Sequence, residues 1–253
     1  MHYDYVPMPE RKPLKWPNGY RLAMIISTNL EYWDKTVDTE KPAYPGGPGV
    51  VINTMSGKYF DAPNWSWREY GQRVGVWRMF EEFERAEIPT SCTLNSKLAI
   101  ERPQIIERVV KNNWEVVAHN FVQTEPLADY QFDIDKEREI IQKTLRVYRE
   151  FVGKPARGWL STSLRSTPNT PDLVAAEGLD FWTDYMNDDQ PYLIKTECGR
   201  PLVSIPYTVE LNDFQAFMFQ GHDVNGAVAM FKEGFNQLYK EGEKSGRIES
   251  IVK

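Results

Sequence analysis

From Arg21 onward the sequence alternates short aliphatic runs with longer amphipathic stretches, and this alternation leaves few architectures open. "RLAMIISTNLEY" is almost continuously apolar as far as Ile26, as a strand covered on both faces must be. In "RVGVWRMFEEFERAE", Val76, Met79, Phe80 and Phe83 then fall at helical spacing. The pattern repeats with strand "TSCTLN", helix "RPQIIERVVKNN" with Pro103 in its first turn, and strand "WEVVAHN". Helix "DIDKEREIIQKTLRVYREFVG" has its acids first and Gly153 as its stop. Strand "RGWLST", helix "TPDLVAAEG" closed by Gly178, strand "LDFWTDY", the extended piece "LVSIPYT", helix "NGAVAMFKEGFNQLYKEG" and a last strand in "RIESIVK" complete the series. Strands separated by helices pair in parallel, so the expected fold class is α/β, a parallel sheet wound by helices, open or closed into a barrel. Residues 1–20, rich in Pro and charge, read as an irregular arm, and residues 21–253 as one α/β domain with no linker and no fixed-period repeat. Residues 35–68 read as a long loop, either a surface excursion or a lid over a site.

Composition removes several function classes. A net charge of −6 gives no footprint for phosphate binding and argues against nucleic acid. No apolar run reaches the length of a membrane span, and the first residues lack the apolar core of a secretory signal. Cys92 and Cys198 are too few and too far apart for a disulfide framework or a zinc finger, so a cytoplasmic location is expected. The eight Trp residues suit either a packed core or the walls of a cleft.

In a parallel α/β fold the strands end on one common face, and chemistry collects there. The strand ends carry Asn29 and Glu31, then Asn95, then His119 and Asn120, then Ser161, then Asp184 followed by Asn187, Asp188 and Asp189. Asn29 and Glu31 are two apart, so they share a face of the first strand. A carboxylate in a partly dry cleft serves as a base toward water or as a metal ligand; a Glu just past the strand is otherwise merely solvated. His119 is one of three histidines, with His2 in the arm and His222 in "GHDVNG", and reads equally as a hydrogen-bonded core residue. Gln123 follows it by four, a spacing used by pairs of metal ligands, although Gln is a poor transition-metal ligand. Asp184 and "NDDQPY" suit a turn or the ordered mouth of a pocket. Arg73 and Arg78 lie on a helix whose start faces the site, with Arg78 read as surface charge.

The segments "EYGQRVGVWRMFEEF", "WEVVAHN", "GWLSTSLRSTPNTPDLVAAEGLDF", "DYMNDDQPY", "SIPYTVELND" and "SGRIESI" resemble, in order, the polysaccharide deacetylase (NodB-homology) superfamily, and within it the branch of metal-independent allantoinases and cyclic-imide hydrolases. The resemblance implies a distorted parallel (β/α) barrel with fewer than eight strands, incomplete at its C-terminal end. In the deacetylases of the family the first strand ends in two Asp residues, a base and a metal ligand. Two His spaced as in HxxxH complete the metal site, and a late His protonates the leaving amine. Here the base position matches Asn29, the metal carboxylate Glu31, the first His is His119 and the second is Gln123; the late His has no counterpart before Lys253.

The resemblance thus implies a hydrolase of non-peptide C–N bonds in a small, cyclic amide, imide or ureide. Glu31 is expected as base, His119 as the group that polarises the carbonyl or shuttles the proton, and Asn29 as their neighbour in the catalytic set. Asn95, Ser161 and Asp184 are expected against substrate, with Trp33, Trp65 and Trp67 as walls or lid. The expected cofactor is none, or else a divalent metal such as zinc on Glu31, His119 and Gln123. Two alternatives stand beside this reading: a metal-dependent carbohydrate N-deacetylase and a non-catalytic ligand-binding barrel. The expected partners are a small-molecule substrate and, as in relatives that commonly assemble, further copies of the chain, with neither nucleic acid nor membrane.

Overall fold

The computed structural model describes residues 3–34, 60, 62–245 and 247–252. One sheet is built from β1 (Leu22–Leu30), β2 (Ser91–Leu94), β3 (Glu115–Ala118), β4 (Gly158–Trp159), β5 (Phe181–Trp182), β6 (Tyr192–Ile194), β7 (Leu202–Ser204) and β8 (Arg247–Val252). Their order across the sheet is β6-β7-β5-β4-β3-β2-β1-β8. All neighbours pair in parallel except β6, which joins β7 antiparallel at one edge. Among the described residues the parallel strands therefore number fewer than eight, as a distorted (β/α) barrel requires. Register brings Leu30, Leu94 and Ala118 level across β1, β2 and β3, so the residues that follow them emerge side by side on one rim.

The helices are α1 (Ala62–Tyr70), α2 (Val76–Arg85), α3 (Ser96–Glu101), α4 (Pro103–Lys111), α5 (Ile134–Val152), α6 (Thr170–Ala176) and α7 (Val224–Ser245). Val76, Phe80 and Phe83 of α2 are buried, as their spacing predicts, and both rings of that stripe pack on Trp114 at centroid distances of 4.9 and 5.7 Å. Cys92 and Leu94 of β2 and Val116 and Ala118 of β3 turn toward the helices, into one cluster with Leu98, Ile105, Val109 and Ile141. Alternation then sends Thr93 and Val117 to the other face, and with them the residues just past the strands, Asn95 and His119. Gly153 ends α5 in the left-handed conformation at φ +80°, which glycine adopts without strain. Among the described residues no helix is long and apolar enough to cross a membrane.

One reading of the sequence needs correction. The segment "APNWSWREY" is not loop but helix α1. Pro63 sits in its first turn, where the missing N–H breaks no helical bond. A π-helical turn, Gly71–Gly75, joins α1 to α2 and lets the two helices present different faces to the sheet. Helix α3 and the short strand β6 were not legible either. The remainder of the expected loop, residues 35–59, lies outside the described residues.

Candidate active site

Glu31 and His119 each follow directly on a strand, β1 and β3 respectively, and they converge. Glu31 Oε1 lies 4.0 Å from His119 Nε2. One contact reaches the carboxylate itself and two more brace what surrounds it. Trp33 Nε1 donates to Oε2 at 3.1 Å, Gln72 Nε2 donates to the main-chain oxygen of Glu31 at 2.8 Å, and the guanidinium of Arg68 lies over the Trp33 ring, 3.9 Å from its centre. About a quarter of the Glu31 side chain stays open, at 26%, so the site has a mouth. Burial nevertheless pushes its pKa up from the ordinary 4.5 to about 7; the Trp33 hydrogen bond and Arg68 pull downward, and the nearby charge of Asp213 pushes further up.

His119 is buried. Its Nδ1 lies 2.6 Å from the carbonyl oxygen of Leu160. A carbonyl only accepts, so Nδ1 carries the proton and Nε2 presents a lone pair toward Glu31. Burial lowers the pKa to about 4, partly opposed by the Leu160 carbonyl and by the Gln123 side chain beside the ring, so the imidazole is neutral near pH 7. The expected role as a polariser of carbonyls therefore needs correction: a nitrogen without a proton cannot donate to an oxygen.

The other predicted residues divide. Asn29 Oδ1 accepts from Thr93 Oγ1 at 2.9 Å, which fixes it beside its ladder partner one residue pair before Glu31. Asn95 was expected against substrate, but both ends of its amide are taken by the backbone of its neighbours. Its Oδ1 accepts from Tyr32 N at 2.9 Å and its Nδ2 donates to the His119 carbonyl. It braces the two residues on either side of the hollow. Ser161 is also engaged within the protein: its N–H donates to Asp184 Oδ1 at 2.7 Å and its Oγ accepts from Trp159 Nε1 at 3.0 Å. Asp184 is buried with it, and desolvation raises its pKa to about 6. Asp188, in the same run, takes the turn reading: it accepts from the N–H groups of Asp189 and Gln190 and pairs with Arg11 of the N-terminal arm at 2.5 Å. Trp33 donates to the Glu31 carboxylate, Trp65 packs on Phe60, and Trp67 is 41% exposed.

Residues that the strand-end rule misses complete the surroundings. Arg68 and Gln72 come from α1 and the π-helical turn. Tyr207 and Asp213 come from the segment after β7, close enough that each bears on the ionisation of Glu31 or is itself affected by it. Burial pushes the Tyr207 phenol up to about 12, so it stays protonated, and its oxygen accepts from Asn212 Nδ2 at 2.7 Å.

The donor set tests the metal expectation. His119 Nε2 and Gln123 Oε1 are buried and without a well-formed hydrogen bond, so two lone pairs face the hollow. Yet the set offers one imidazole, one carboxylate and an amide, and among the described residues no three His, Cys, Asp or Glu side chains gather at metal-binding distance. Zinc in catalytic sites takes three strong donors, commonly imidazoles, thiolates or carboxylates. The residues do not fit a tightly held transition metal.

No family model matches the chain. A Schizosaccharomyces pombe protein described as "Putative polysaccharide deacetylase" is 26% identical over 258 residues, covering 90% of this chain and 76% of that protein. The solved structure of a probable polysaccharide deacetylase from Pseudomonas aeruginosa PAO1 is 26% identical, with a TM-score of 0.78 over 94% of this chain and 79% of that one. PuuE allantoinase is 26% identical as well, with a TM-score of 0.81 over 99% of this chain and 84% of that one. Parallel strands whose ends bring a carboxylate and an imidazole together, on a fold shared over nearly the whole chain with these proteins, make the chain similar in sequence and in fold to polysaccharide deacetylases and to PuuE allantoinase alike.

Proposed function

We propose that this protein hydrolyses a non-peptide C–N bond in a small cyclic amide, imide or ureide. The observation that carries the reading is the 4.0 Å span between Glu31 Oε1 and His119 Nε2. A water molecule bonded to both at about 2.8 Å fits that span. The two groups differ in proton affinity. With a pKa near 7, Glu31 is the better base; His119, near 4, accepts a hydrogen bond and orients the water. Glu31 takes the proton as the water oxygen bonds to the carbonyl carbon. The protonated Glu31 then returns that proton to the departing nitrogen as the C–N bond breaks. The Tyr207 phenol, held neutral, is the nearby donor suited to the oxyanion.

The metal-independent route agrees with the donor set. A second reading, removal of an N-acetyl group from a sugar, is favoured by the descriptions of the S. pombe and P. aeruginosa relatives. Assaying hydantoins, cyclic imides, allantoin and N-acetylglucosamine oligomers, with and without added zinc, separates them. Turnover of a ring substrate that zinc leaves unchanged is expected; turnover confined to acetylated sugars with zinc overturns the first reading. Ligand-induced thermal shifts with no turnover at all identify a binding barrel. The pH profile on the ring substrate should have one acidic limb. Below about pH 7 kcat/KM falls about tenfold per pH unit as Glu31 is protonated, and no second limb appears between pH 5 and 7, because His119 is already neutral there.

A further inference from the structure

A column of side chains stands on the side of Glu31 away from His119. Arg68 stacks on the Trp33 ring at 3.9 Å, and the Trp33 N–H reaches Glu31 Oε2 at 3.1 Å. One turn beyond Arg68, Gln72 holds the Glu31 main-chain oxygen at 2.8 Å. Glu69, next to Arg68, is tied to Arg102 at the start of α4 at 3.0 Å, which anchors α1 against the rest of the fold. On the opposite side, Asn95 Oδ1 takes the N–H of Tyr32, and Lys97 pairs with Asp34. Residues 31–34 are therefore gripped from both flanks. Within this grip an indole N–H has one possible function, since it donates and never accepts. It selects one oxygen of the carboxylate and leaves the other to the hollow. A cation over the ring face restrains the tilt of the indole and strengthens its N–H as a donor.

We infer that Arg68 is a positioning residue: through its stack on Trp33 it fixes the Glu31 carboxylate so that Oε1 is the oxygen turned toward His119. The inference rests on the reading of Glu31 as the base. The aromatic at position 33 is thus a support for the base in addition to a wall of the site. The π-helical turn matters because it lets one helical run put Arg68 and Gln72 on β1 and, a few residues later, Val76 and Phe80 in the core.

The test uses the full chain and four variants: Arg68→Met, Arg68→Lys, Trp33→Phe and the double variant Arg68→Met/Trp33→Phe. Thermal melts first establish that each is folded. In protein carrying ¹⁵N-labelled indoles, the Trp33 N–H resonance is assigned by its loss in Trp33→Phe. It should move in Arg68→Met and return toward its wild-type position in Arg68→Lys. On a ring substrate from the panel above, Trp33→Phe and Arg68→Met should each lower kcat about tenfold or more while KM changes less than about twofold. Adding Arg68→Met to Trp33→Phe should cost clearly less than Arg68→Met costs alone, because the path through the ring is already cut and only the through-space charge of Arg68 on Glu31 is left to lose. An unmoved resonance in Arg68→Met, fully additive losses, or a loss confined to KM each overturns the inference. Failure of the base reading looks different: Glu31→Gln would then keep wild-type turnover, while the indole resonance would still report the stack.

Discussion

Glu31→Gln is expected to lower kcat/KM by about 10³-fold or more and, at the same time, to stabilise the folded protein above neutral pH. On the proposed mechanism the first effect follows from losing the group that takes the proton from water and returns it to the departing nitrogen. The second follows from the pKa. Folding raises the Glu31 pKa from 4.5 to about 7, so the folded state binds more protons than the unfolded one between those values. Stability therefore falls as pH rises from 4.5 through 7, and above 7 the full cost of keeping a buried carboxylate ionised is present. At about 1.4 kcal/mol per pKa unit that cost is on the order of 3 kcal/mol. Gln carries no charge, and its carbonyl oxygen still accepts from Trp33 Nε1. The variant should thus match wild type near pH 4 and exceed it by up to about 3 kcal/mol at pH 8, measured by denaturant unfolding at both values. Lost activity with gained stability marks a group kept for chemistry. A folded variant that keeps wild-type turnover removes Glu31 from the mechanism.

The strand–helix alternation was legible because each element carries its own period. Val76, Phe80 and Phe83 recur at helical spacing because one face of α2 meets the sheet, and that face alone must be apolar. Helix α1 escaped because it has no such stripe. Pro63, Asn64, Ser66 and Arg68 of α1, with Gln72 of the π-helical turn that follows, make a polar run that meets the end of β1, so its sequence looks like loop. Strand β6 is three residues at an edge, too short for periodicity to show.

The site divides along the same line. Parallel topology alone puts Glu31 and His119 on one rim, so the pair was readable from where strands stop. The tasks of Asn95 and Ser161 were not, because they depend on register. Asn95 meets the backbone of residues 32 and 119 only because β1, β2 and β3 end level. Arg68, Gln72, Tyr207 and Asp213 reach the site from outside the strand ends. The segment "SIPYTVELND" stood out by resemblance, yet nothing in its composition says that its Tyr and Asp approach a carboxylate some 180 residues earlier. The sign of the His119 contribution also needed the fold: only the Leu160 carbonyl shows which nitrogen holds the proton.

His119→Ala is the complementary experiment, and its stability should respond to pH in the opposite sense. Turnover is expected to fall about 10²- to 10³-fold, since the water loses its second anchor. At pH 8 the variant should also be less stable by about 2–4 kcal/mol, because a buried ring is deleted and the Leu160 carbonyl loses its donor. Folding lowers the His119 pKa from 6.5 to about 4, so the unfolded state binds more protons between those values. Wild type therefore loses stability as pH falls from 6.5 through 4, and the Ala variant, having no imidazole to protonate, does not. Its deficit should shrink toward pH 4, just where the advantage of Glu31→Gln vanishes. Over this range the two residues act on wild-type stability with opposite slopes, and each substitution removes one of them. Unfolding free energies of both variants relative to wild type at pH 4, 6 and 8 give two curves. Glu31→Gln should climb with pH while His119→Ala sinks. Parallel or flat curves would mean that the acid and the imidazole do not share a desolvated hollow, and the hydrolytic pairing would fall with that result.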